Sequence, residues 1–224
     1  METVIFGNGL LGTELNKQSG WAMVNLEDDG VDITDNMSYH TFLRDYDTVI
    51  NCIGYTDTGD NTRDKHWAVN YKGVIGLVDR CNIYGVKLVH MSTDYIYANA
   101  NNFAKESDVP VHYDNWYTYT KLLADGYVQA MSNDYLMFRT SFKPNPFPWD
   151  AAWQNLQGNF DYVDKIVPLM IKLIDKGSTG VYNIGGGIKT MYELAKETNE
   201  NVVQIASPSP PYDVSMDLSK YEAE

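Results

Sequence analysis

Cysteine is nearly absent from this chain of 224 residues: there are two, Cys52 and Cys81, set in apolar or helical-looking runs without CxxC spacing. That argues against a disulfide scaffold and a cysteine-built zinc site, and points to a reducing compartment. Histidine is almost as sparse. His40, His66, His90 and His112 show no HxxxH or HxH spacing, so no metal site is expected. Positive charge is also scarce, with 17 basic residues against 30 acidic ones and a net charge of −13. Nucleic acid and anionic membranes are poor partners for such a surface, because both need basic patches. No apolar run reaches the ~18 residues of a membrane span, and no basic segment precedes the first apolar run. The expected location is the cytoplasm.

What is present suffices for a sizeable core, since 44% of residues are hydrophobic and 13% aromatic. "TVIF" (3–6), "WAMVNL" (21–26), "TVINCIG" (48–54), "VKLVHMS" (86–92) and "YLMFRTSF" (135–142) read as buried strands. "LLGTELNKQ" (10–18), "YHTFLRD" (39–45), residues 66–85 and residues 118–134 read as helices or helical turns. Strands that are apolar throughout, alternating with helices, predict a parallel sheet covered on both faces. "KPNPFPWDAAWQNLQGN" (143–159) has three prolines, Trp149, Trp153 and little periodicity. It is expected to be a mobile flap over a substrate crevice or an oligomer contact. A helix over 164–177, a short strand ending in glycines over 180–186 and a Pro-rich loop over 207–213 complete the chain.

"TVIFGNGLLGTEL" carries Gly7-x-Gly9-x-x-Gly12 directly after a strand and opening a helix. That context suits a dinucleotide: Gly7 permits the tight turn, Gly9 lets the backbone approach a pyrophosphate, and Gly12 lets helix and sheet pack closely. Twenty residues on lies Glu27, in the cluster Glu27-Asp28-Asp29, where an acid can bond the adenosine ribose. Asp32 and Ile33 stand where an adenine edge could be met, although Asp32 reads equally as a loop acid. Gly54 closes the third strand, and ligands of open α/β sheets bind at such carboxyl ends. Ser92 and Thr93 end the next strand, facing the same crevice. Tyr117 and Lys121 follow, four residues apart and so on one helical face, whereas Tyr119 points elsewhere. A hydroxyl, a phenol and an ammonium together can polarise a carbonyl and move a proton to its oxygen. The ammonium is expected to lower the phenol pKa from its ordinary ~10.

This ordered set resembles the extended short-chain dehydrogenase/reductases. "STDYIY", Tyr117-x-x-x-Lys121 and "FRTSF", with "GNFDYVDKI" and "GVYNIGG" later, are most similar to their dTDP-4-dehydrorhamnose reductase (RmlD-like) branch. The resemblance implies a Rossmann-type doubly wound α/β sheet over residues 1–142. It also implies a small, shortened substrate-binding portion over 143–224, interleaved with the first. It makes Thr93 the hydroxyl on the substrate carbonyl, Tyr117 the proton donor, and Lys121 the holder of the nicotinamide ribose. To the cofactor it assigns Gly7, Gly9, Leu10, Leu11, Gly12, Glu27, Asp32, Ile33, Cys52, Ile53, Gly54, Asn70 and Ser92, besides Tyr117 and Lys121. The implied function is NAD(P)-dependent reduction of a nucleotide-linked 4-keto-6-deoxysugar in dTDP-rhamnose biosynthesis. A sugar-nucleotide epimerase or dehydratase and a non-catalytic nucleotide-binding regulatory subunit are the alternatives, and a homodimer is compatible with each. The carboxylates of Glu27, Asp28 and Asp29 would repel a 2′-phosphate, and the basic residues nearest in sequence are Lys17 and Arg44. NAD(H) is therefore predicted over NADP(H).

Overall fold

The computed structural model describes residues 2–58, 62–97, 103–108, 110 and 115–224; His112 lies outside them. Its first half runs β1 (Thr3–Phe6), α1 (Leu10–Ser19), β2 (Ala22–Val24), α2 (Leu26–Asp29), β3 (Thr48–Asn51) and α3 (Arg63–His66). A π-helical stretch, Trp67–Lys72, carries α3 without a break into α4 (Gly73–Tyr84). Next come β4 (Lys87–Met91), α5 (Trp116–Met131) and β5 (Tyr135–Arg139). The remainder holds β6 (Phe142–Lys143), β7 (Ala151–Trp153), β8 (Gln157–Gly158), β9 (Asp161–Tyr162), α6 (Val163–Asp175) and β10 (Gly180–Asn183). It closes with β11 (Lys189–Thr190), α7 (Met191–Lys196), β12 (Val203–Ile205) and α8 (Ser219–Glu222).

Successive strand residues point to opposite faces, and here both faces are apolar. Val4, Phe6, Val49, Leu88 and Met137 meet Leu77, Val78 and Cys81 of α4 and Ala124 and Val128 of α5. Their sequence neighbours Ile5, Ile50, Val89, Leu136 and Phe138 meet Leu11 and Leu15 of α1 and Ile166, Val167 and Met170 of α6. The result is the doubly wound sheet that the apolar runs predict: six parallel strands in the order β10-β5-β4-β3-β1-β2. Residues 31–47 contain a 3-10 turn but no strand, so β2 is an edge. Strand order reverses between β1 and β3, which opens a crevice at their carboxyl ends.

Two polar contacts tie the C-terminal part to this sheet. Pro168, inside α6, has no N–H to offer the carbonyl of Asp164. The side-chain amide of Gln18 on α1 donates to that carbonyl instead, at 3.2 Å. Lys87, buried at the start of β4, donates to the carbonyls of Gly177 and Ser178 just beyond α6, at 3.2 and 2.7 Å. A cation there also meets the negative end of the helix dipole.

The segment 143–159 is not a flap. Phe147, Ala152 and Leu156 are buried with Phe160 and Tyr162 against Met191, Leu194, Ala195, Val202 and Val214. β7 pairs with β12 in parallel and β8 with β11 antiparallel, so the segment is the core of a small second layer. Its strands are two or three residues long, too short to show a period in sequence. Trp153 packs partly against this core, whereas Trp149 is 49% exposed with its ring on Phe147. Phe160→Ala is expected to destabilise the fold by about 3–5 kcal/mol. Urea denaturation should show it as a lower midpoint, and a loss under 1 kcal/mol would mean that this layer is not packed.

Candidate active site

The glycine loop after β1 is shaped by close backbone approach. A Cβ on Gly12 would stand 1.9 Å from the carbonyl oxygen of Gly7, so only hydrogen fits there. Gly7 itself has φ +103°, and its Cα faces the end of β3, where a Cβ would lie 3.0 Å from Ile53 Cγ1. Gly9 precedes α1 with no neighbour within 4 Å of the place a Cβ would take. It gives α1 no side-chain cap, and no acid occupies the first turn. Leu10, Leu11 and Gly12 thus begin a helix whose N-terminal N–H groups suit an anion.

Across the crevice, Asn70 in the π-helical stretch brackets the backbone of Tyr55. It accepts from its N–H at 2.7 Å and donates to its carbonyl at 2.8 Å. This sets the path of Cys52, Ile53 and Gly54, and a Cβ on Gly54 would stand 3.7 Å from the Asn70 side chain. Asn51, at the end of β3, accepts from the Ile53 N–H at 3.1 Å.

α5 starts where Asn115 caps it, accepting from the Thr118 N–H at 2.7 Å. Four-residue spacing then directs Tyr117 and Lys121 at the sheet. The groups nearest the phenol of Tyr117 include Thr93 and Asp94, and its ring stands edge-on to His66, 6.3 Å between centroids. Lys121 is buried and donates to the carbonyl of Met91, the last residue of β4. Tyr119 lines a different cavity of about 380 Å³ with Arg63, Trp67 and Trp116. Behind the pair, Asp125 accepts from Arg139 Nε and Nη2 at 3.0 and 2.8 Å, both side chains only 1% exposed. Ser92 donates to the same carboxylate at 2.7 Å.

Burial sets the protonation states. It pulls Lys121 down to about 8, against the attraction of Asp125 and Cys52, and pushes the Cys52 thiol up to about 12. It holds His90 well below the usual imidazole range, with the Lys121 cation adding to the effect. It pushes the Tyr117 phenol up to about 12, only partly offset by the neighbouring Thr93 hydroxyl. The expected lowering of the phenol by Lys121 is therefore not found, because the ammonium is engaged by a backbone carbonyl and burial dominates. A phenol so placed stays protonated at neutral pH and can serve as an acid.

The family described as RmlD substrate binding domain matches residues 1–143. The chain belongs to that family. The dTDP-4-dehydrorhamnose reductase of Mycolicibacterium smegmatis is 31% identical over 145 residues, 60% of this chain and 43% of that protein. The spore coat polysaccharide biosynthesis protein SpsK of Bacillus subtilis is 25% identical over 210 residues, 84% of this chain and 74% of that protein. Among solved structures, a hypothetical dTDP-4-dehydrorhamnose reductase from Sulfolobus tokodaii superposes with a TM-score of 0.85 at 24% identity, covering 100% of this chain and 94% of that one. The Bacillus anthracis dTDP-4-dehydrorhamnose reductase, solved with NADP, gives 0.84 at 20% identity, covering 99% and 90%. At such identities the structures establish the fold. The first of these relatives is matched over less than half of its length.

Within this RmlD-family chain, the residues singled out from sequence are not all placed alike. Gly7, Gly9, Gly12, Ile53, Gly54, Asn70, Thr93, Tyr117 and Lys121 gather around the ends of β1, β3 and β4. Ser92, expected to face the crevice, braces Asp125 instead. β2 ends at Val24, and Asn25 caps α2, accepting from the Glu27 and Asp28 N–H groups at 2.9 and 3.1 Å. Asp28 and Asp29 fold back onto Asn25, while Glu27 stands exposed beside them. Asp32 Oδ1 accepts from Thr34, and the Ile33 side chain is buried against Gly73. Sequence reasoning passed over Asp94, although it sits inside the quoted "STDYIY", and Lys143, which has no signal of its own. Gly12→Ala is expected to lower the thermal midpoint and abolish dinucleotide binding, because the loop must move to admit a methyl group. Calorimetry with NADH checks it, and unchanged binding would contradict the close approach.

Proposed function

We propose that this chain is a nicotinamide-dependent reductase of a nucleotide-linked 4-keto-6-deoxysugar. The observation that carries the reading is Thr93 at the sheet's carboxyl edge faced by Tyr117 and Lys121, one helical turn apart on α5, with Lys121 anchored to the last carbonyl of β4. The names of the M. smegmatis and B. anthracis relatives point to the same substrate class. The uncapped start of α1 and the glycine contacts at Gly7 and Gly12 fit a dinucleotide pyrophosphate. When bound, the nicotinamide supplies the hydride. Thr93 then bonds the substrate carbonyl oxygen, and Tyr117 gives its proton to that oxygen as negative charge develops. Lys121 holds the nicotinamide ribose, and Asn70 fixes the loop through Gly54 that borders it. A cavity of about 550 Å³, lined by Asn159, Gly185, Gly186, Ile188, Met216 and Ser219 among others, lies in the C-terminal part. It offers room for the remainder of a sugar nucleotide.

The reading favours NAD(H). Exposed carboxylates follow β2, Lys17 is paired with Glu14 at 3.1 Å, and Arg44 lies over the Tyr84 ring. These engagements leave neither cation committed to a 2′-phosphate. Isothermal titration should give a Kd several-fold lower for NADH than for NADPH, and the reverse order would refute the charge argument.

The catalytic roles are tested by following NADH absorbance with a dTDP-4-keto-6-deoxysugar. Tyr117→Phe is expected to lower kcat by roughly a hundredfold or more with NADH affinity nearly unchanged. Tyr119→Phe, in its separate cavity, should be close to neutral. Equal losses would sink the assignment, and a converted sugar without net NADH oxidation would mean isomerisation rather than reduction.

A further inference from the structure

We propose that His66 is a positioning residue for the proton donor: its buried ring seats the ring of Tyr117, and Asn70 and Tyr55 hold His66 in place. The inference rests on the reductase reading, in which Tyr117 must meet a carbonyl oxygen. His66 is the last residue of α3 and is 0% exposed. Its ring stands edge-on to two others, Tyr55 at 4.7 Å and Tyr117 at 6.3 Å between centroids, with interplanar angles of 65° and 67°. At both distances edge-to-face rings attract, and their preference for a particular angle sets such a pair apart from plain apolar packing.

The need for such a seat follows from where Tyr117 stands. It is the second residue of α5, so its side chain leaves from the first turn, whose backbone N–H groups have no partner within the helix. Thr120 steadies that turn by donating to the carbonyls of Trp116 and Tyr117 at 2.7 and 3.1 Å. Those bonds hold the backbone and leave the two side-chain torsions of Tyr117 to be set by packing. Placement matters here, because a reacting group displaced by about 1 Å can lose roughly a hundredfold in rate.

His66 is itself held. It shares a face with Asn70, four residues on, and that face meets α5 at Tyr117 and Thr120. The Asn70 side-chain oxygen accepts from the Tyr55 N–H, so its nitrogen is the donor. One of its hydrogens goes to the Tyr55 carbonyl at 2.8 Å. The other lies between His66 Nδ1 at 3.4 Å and Thr120 Oγ1 at 3.5 Å. His66 Nδ1 is therefore an acceptor, and the ring carries its hydrogen on Nε2. The Tyr55 ring also meets the Lys65 ammonium, 5.4 Å from its centroid. One amide thus ties together the loop beyond Gly54, the His66 ring and the first turn of α5. The loop that borders the dinucleotide and the ring that gives the proton keep a fixed spacing.

The test measures kcat, KM and NADH affinity for wild type, His66→Phe, His66→Gln and His66→Leu with a dTDP-4-keto-6-deoxysugar. Phenylalanine keeps a ring, glutamine keeps an acceptor for Asn70 without a ring, and leucine keeps neither. His66→Gln and His66→Leu should lower kcat roughly tenfold, with KM and NADH affinity nearly unchanged. His66→Phe should recover kcat to within about threefold of wild type, because an edge-to-face contact is restored. Glutamine that keeps full kcat, or phenylalanine no better than leucine, would overturn the proposal. Losses confined to KM or to NADH affinity would do the same, since they mark a substrate contact or a defect of the fold. A double-mutant cycle gives a readout free of turnover: urea unfolding of His66→Ala, Tyr117→Ala and the two combined. Rings in contact make the losses non-additive, so the double variant should have a folding equilibrium constant several-fold above the value independent losses predict. Additive losses would overturn the seat. Wild type that turns over no such sugar would defeat the reductase reading, and the role of His66 with it. A cycle that still couples the two rings distinguishes that failure from a failure of the contact.

Discussion

The ion pair between Asp125 and Arg139 is the contact on which the site's geometry depends. Arg139 ends β5, Asp125 lies one turn beyond Lys121 on α5, and Ser92 at the end of β4 shares the carboxylate. The pair therefore fixes how far α5 can slide along the sheet. A slip of α5 would carry Tyr117 off Thr93 and Lys121 off the Met91 carbonyl. Such a buried pair adds little net stability over an apolar substitute, but removing one partner leaves an uncompensated charge and costs about 3–5 kcal/mol. Arg139 also donates to the Glu106 carbonyl at 3.1 Å, and Tyr97 bonds Asn183 on β10 at 3.0 Å. The same network thus anchors the last strand of the sheet.

Desolvation is the second organising effect. Lys121, Tyr117, Asp94, Cys52 and His90 are all shifted toward their neutral forms, and in each case burial is the largest cause. Their proton affinities are therefore set by burial and by neighbouring groups. Lys121 faces Asp125 and Cys52, while the groups that face Tyr117 are Thr93 and Asp94.

The fold and most of the crevice were legible in the sequence because each rests on a local rule. Parallel strands covered on both faces must be apolar throughout, and "TVIF" and "VKLVH" are. A loop that passes beneath its own helix needs Gly12. Four-residue spacing on α5 separates Tyr117 from Tyr119. The segment 143–159 was misread because its order comes from partners about 50 residues away. β7 needs β12, and Phe147, Leu156 and Phe160 need α7.

The sequence by itself thus determined the sheet, its glycine loop and the Tyr117–Lys121 pair, all encoded in short-range periodicity and backbone sterics. Tertiary structure alone decided which side chains reach that pair from afar. It turned Ser92 onto Asp125 and raised the Tyr117 phenol where a lysine was expected to lower it. Proton affinities depend on burial and on neighbours brought together through space, and neither can be read from spacing along the chain.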